Sequence, residues 1–106
     1  MKKSIKFGII LLTFYVANLA AEDKVDNCMK LHELATSLMK ARQQGVAMPK
    51  LMNSFENLAI EVAETNFLKK IAIAAYDQPQ YSGKEYRNKA VQKFANEWAL
   101  KCYKQQ

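Results

Sequence analysis

The sequence predicts an all-α fold, a small bundle of three long helices plus one short helix, stapled by one disulfide. Three observations predict it. Apolar residues recur every three or four positions, and no stretch alternates apolar and polar with period two. Gly45 and Pro79 stand where that pattern pauses, as helix stops do. The two cysteines, Cys28 and Cys102, lie near opposite ends of the helical stretch.

The first helix is expected from about Val25 to Gln44. Asp23 or Asp26 can cap it, and acidic residues there suit its positive end. Its apolar stripe is Cys28, Leu31, Leu34, Ala35 and Leu38, flanked by Val25 and Met39, and Gly45 ends it. Pro49 then opens a short second helix with Leu51, Met52 and Phe55 on one face. A break is expected near Asn53 to Asn57, where residues are polar and poor helix formers. The third helix should cover about Leu58 to Tyr76, with a stripe of Ile60, Ala63, Phe67, Ile71 and Ala74, and Leu68 and Ala75 beside it. Pro79 biases Gln78 away from helical geometry and closes it. For the fourth helix, Ser82 and Glu85 have capping-box spacing, and Tyr81 and Tyr86 the spacing of a hydrophobic staple. Ala90, Val91, Phe94, Trp98 and Cys102 form its expected buried face.

Ahead of these helices, Lys2, Lys3 and Lys6 precede an apolar run from Phe7 to Val16, and Ala20-Ala21 then meets Glu22-Asp23. That order is expected of a secretory signal peptide over residues 1–21, leaving a single helical domain over residues 22–106. The run is too short to span a membrane, which takes about 20 apolar residues, so no stable membrane insertion is expected after cleavage. The expected location is the periplasm or outside the cell. Such a compartment permits disulfides, so Cys28 and Cys102 read as one internal bridge. The alternatives are free thiols or bridges between chains. The three leader lysines account for half of the formal net charge of +6, which weakens any case for nucleic acid.

Catalytic and metal chemistry find little to build on. His32 is the sole histidine. It stands four positions after Cys28, but a metal site needs three or four ligands and Cys28 is taken by the bridge. No serine sits in a Gly-x-Ser-x-Gly turn, and with three glycines there is no phosphate-cradling loop. No catalytic residue, metal or other cofactor is therefore expected. A partner-binding surface is expected instead from two helix ends, Arg42, Gln43 and Gln44 at one and Tyr76, Asp77 and Tyr81 at the other, because Tyr and Arg are enriched where partners bind.

The spaced pattern from Cys28, through Met39-Lys40-Ala41-Arg42-Gln43-Gln44-Gly45, Ala75-Tyr76-Asp77-Gln78-Pro79 and Phe94, to Trp98 and Cys102 resembles a loose group of small exported helical proteins of Gram-negative bacteria and their prophages. The resemblance covers nearly all of residues 22–106. It implies location and shape and brings no catalytic residues, since the group has no established activity. The expectation is a small protein-binding module whose partner is another exported or periplasmic protein. An inhibitor or immunity protein against a cell-wall hydrolase or toxin is the natural version. The alternatives are a periplasmic stress chaperone or a small ligand carrier.

Overall fold

A computed structural model describes residues 27–106, so the expected signal peptide and the capping residues Asp23 and Asp26 lie outside the described residues. The described residues are all-helical: α1 over 27–43, α2 over Met48–Glu56, α3 over Val62–Tyr76 and α4 over Lys84–Lys104. The sequence-predicted three long helices and one short helix are therefore the architecture.

Two ties set the directions of the helices. Cys28 and Cys102 are bonded, with their Cα atoms 5.6 Å apart, which joins the start of α1 to the end of α4. Gln43 in the last turn of α1 bonds to Pro79 and Tyr81 in the α3–α4 connection. The helices thus run up, down, up and down around one core. That core is built from Ala35, Leu38 and Met39 of α1, Phe55 of α2, Ile71, Ala72 and Ala75 of α3, and Val91, Phe94 and Ala95 of α4.

α1 ends as Gly45 predicts. Gly45 has φ +81°, its amide donates to Arg42 O and the Val46 amide donates to Ala41 O, the paired bonds of a Schellman motif.

Three expectations are corrected. The second helix does not break at Asn53 but continues to Glu56, because Phe55 is buried and the turn that carries it must stay helical. The break lies at residues 57–61, so α2 and α3 are separate helices and α3 begins at Val62 rather than Leu58. The capping box of α4 is absent: the N-cap is Gly83, no side chain caps the helix, and Ser82 instead presents its carbonyl to Arg87. Tyr81 and Tyr86 still meet, with ring centroids 6.4 Å apart, so the contact across the turn survives without the box.

The expected faces of α3 and α4 hold in part: Ile71, Ala75, Val91 and Phe94 are buried, and Leu68, Ala74 and Trp98 pack against the core. α3 buries Thr65, Ile71, Ala72 and Ala75, while Phe67, Ile60 and Ala63 face outward. α4 buries Ala95 and Ala99 along with Val91 and Phe94. Alanine at a crossing lets helix axes approach closely, and interaxial distance follows the side chains at the contact. The small residues Ala72, Ala75, Ala95 and Ala99 are accordingly fully or nearly fully buried on these helices.

Candidate functional site

The two helix ends expected to form a partner surface do meet, but largely as an internal lock. Gln43 is only 2% exposed. Its Nε2 donates to Pro79 O at 2.8 Å and its Oε1 accepts the Tyr81 amide at 2.9 Å. The orientation of this amide is fixed by its partners, since Pro79 O can only accept and Tyr81 N–H can only donate. The side chain behaves as an extra peptide group placed between two loop residues. Gln80 Nε2 completes the lock by donating to Gln43 O at 3.3 Å.

Arg42 and Tyr76 reinforce the same junction. Arg42 Nε donates to Gln78 O at 3.0 Å, and its guanidinium lies 5.4 Å from the centre of the Tyr76 ring. Tyr76 Oη donates to Val46 O at 2.6 Å. Burial pushes the Tyr76 hydroxyl above the usual tyrosine range, and the nearby Arg42 charge offsets part of that shift. Of the six residues expected at a partner surface, Gln44, Asp77 and Tyr81 remain exposed, Arg42 and Tyr76 are half-buried, and Gln43 is buried.

The larger opening lies elsewhere, and it follows from the length of α2. Nine residues rise only about 13 Å, against about 22 Å for the 15 of α3. Glu56, the last residue of α2, pairs with Lys69, so the part of α3 before Lys69 extends past the end of α2. There α1 and α3 lie side by side without a helix over them. The result is an open groove of about 650 Å³. Leu31 and Leu34 of α1 and Ile60, Ala63, Phe67 and Leu68 of the opposite wall give it an apolar lining, while Asn27, Lys30 and Glu64 supply polar groups.

Phe67, 43% exposed, stands edge-on to Trp98 of α4 with ring centroids 6.1 Å apart, and Trp98 in turn contacts Phe94 of the core. The groove is thus coupled through an aromatic row to the packed interior. Leu58, Val62 and Met29 add further exposed apolar surface, with Val62 at 75%. An apolar lining with a few polar groups is the anatomy of a binding surface. Sequence reasoning read Ile60, Ala63 and Phe67 as core because their spacing is correct for a buried stripe. The signal that identifies them as a groove is the shortness of α2, which leaves that stripe uncovered.

His32 does not join either place. Its Nε2 lies 3.0 Å from Asn96 Oδ1, a bond between α1 and α4. Among the described residues no three His, Cys, Asp or Glu side chains cluster as metal ligands, and no helix is long and apolar enough to cross a membrane. Comparison of the chain with protein-family models, curated proteins and solved structures finds no match.

Proposed function

We propose that this chain is an exported protein-binding module, acting in the periplasm or outside the cell, whose α1–α3 groove receives an apolar element of a partner protein. The observation that carries the reading is the exposed stripe of Ile60, Ala63 and Phe67 beside Leu31 and Leu34, held open on a disulfide-stapled frame. Preorganisation favours binding, because little ordering remains to oppose it. An inhibitor or immunity protein against a cell-wall hydrolase or toxin is the form of this function that best suits a small, rigid, exported helical protein.

The test is a crosslinking capture from periplasm and culture fluid with the oxidised chain as bait, repeated with Ile60→Asp. A stoichiometric partner that the wild type retains and the variant loses supports the reading. A partner held equally by both places recognition outside the groove and refutes it.

A second reading, an apolar ligand carrier, is favoured by the size of the groove, since small-molecule sites span about 300–1,000 Å³. Mass spectrometry of the protein under native conditions separates the two. A co-purifying lipid or other small apolar molecule supports the carrier.

A further inference from the structure

A second concavity, of about 390 Å³, lies between the last turn of α1 and the start of α4, away from the apolar groove. Lys40 and Gln44 line it from α1, and Lys84, Arg87 and Asn88 from α4. Three cations converge there, and among the described residues no carboxylate lines the pocket. Glu85, the acid next to them in sequence, is engaged with Lys89 at 3.4 Å.

The C-terminal end of α1 would oppose an anion if its carbonyls were open, but they are occupied. Lys40 O accepts from the Gln44 amide, Ala41 O from Val46, Arg42 O from Gly45, and Gln43 O from the Gln80 side chain. The start of α4 contributes the opposite polarity, for Gly83 caps it without a side-chain bond and the first-turn amides carry partial positive charge.

Arg87 is incompletely satisfied. One terminal nitrogen donates to Ser82 O at 2.8 Å, while its Nε is buried and has no hydrogen-bond partner. A buried donor left unpaired is costly. An anion in the pocket that draws the guanidinium towards itself recovers that cost and gains a charge-assisted pair.

We propose that this pocket binds a phosphate monoester-type dianion through Lys40, Lys84 and Arg87, either as inorganic phosphate or as a lipid headgroup. The charge count selects the class. A carboxylate neutralises one of the three cations, whereas a phosphate group carries about −1.5 to −2 near neutral pH.

The experiment is NMR titration of the uniformly 15N-labelled oxidised protein with sodium phosphate, against sodium chloride and sodium acetate at matched ionic strength. Vesicles of phosphatidylcholine with and without phosphatidate form a parallel arm. Saturable shifts confined to the end of α1 and the start of α4 with phosphate assign the free ion. Vesicle binding that requires phosphatidate assigns the headgroup, provided that the variants below weaken it.

Lys84→Gln, at an exposed position, should raise the dissociation constant severalfold, and Lys84→Gln with Arg87→Gln by about tenfold or more. Lys89→Gln, whose residue lies outside the pocket lining, should leave it unchanged. Three outcomes each overturn the proposal: acetate binding as tightly as phosphate, affinity unaffected by Lys84→Gln, or no saturable response in either arm.

Discussion

Gln43 reaches across 38 positions of sequence to accept the backbone amide of Tyr81 at 2.9 Å, and the same side chain donates to Pro79 O. Gln43→Ala leaves one donor and one acceptor of the α3–α4 connection without their part-buried partner. The expected loss is about 1–2 kcal/mol of stability. In a domain this small that lowers Tm by about 5–15 °C. Gln43→Glu should be harsher at neutral pH, since a carboxylate cannot donate to Pro79 O. Thermal unfolding followed by circular dichroism decides the matter, and a shift below a few degrees contradicts the assigned role.

Gly45 occupies the left-handed region at φ +81°, and a Cβ there would approach Gln80 Nε2 to 3.1 Å. Gly45→Ala should therefore cost about 1–2 kcal/mol, from backbone strain and from displacing the Gln80 side chain. Urea unfolding measures it. A neutral or stabilising result would show that the turn tolerates a side chain.

Loss of the Cys28–Cys102 bond, by Cys→Ser at both positions, should destabilise the fold by about 4–5 kcal/mol on the chain-entropy model for a separation of 74 residues. That is comparable to the whole stability of many small domains. The reduced protein should melt near or below physiological temperature, and a Tm insensitive to reductant would refute the estimate.

Stability should fall as pH rises above about 10. Burial raises the folded-state pKa of Tyr76, so the unfolded chain loses the phenol proton first, and the stabilisation present below that pH disappears as the folded group also titrates. Tyr76→Phe should cost about 1 kcal/mol at neutral pH through the lost bond to Val46 O, and should flatten the alkaline decline. Parallel unfolding curves of the two proteins between neutral and alkaline pH provide the check.

Occupancy of the α1–α3 groove should be visible in fluorescence, because Trp98 is the sole tryptophan and stands against Phe67. A bound apolar element should change the Trp98 emission. Ile60→Asp, at a position 38% exposed, should leave stability within about 0.5 kcal/mol while weakening the complex at least about tenfold. A variant that unfolds would instead assign Ile60 to the core.

The helices, the bridge and the Gly45 stop were legible in the sequence because each rests on local chemistry: period, cysteine count and φ preference. Gln43 was legible as a polar residue at a helix end but not as a buried latch, since its partners lie more than 30 positions away and depend on how α3 returns. Ala72 of α3 and Ala95 and Ala99 of α4 were passed over because periodicity weighs bulk, whereas close helix approach rewards small size. The cap of α4 was misplaced by one residue, as the Ser82 carbonyl is held by Arg87 and the helix begins after Gly83.

The bond between Cys28 and Cys102 also decides how the folded chain meets mechanical force. Tension applied at residues before Cys28 and after Cys102 passes straight through the two sulfurs, so the three connecting turns and the helices between them lie off the load path. Any machine that drags the oxidised protein from either end therefore meets a covalent ring, which it must break or thread as a doubled strand.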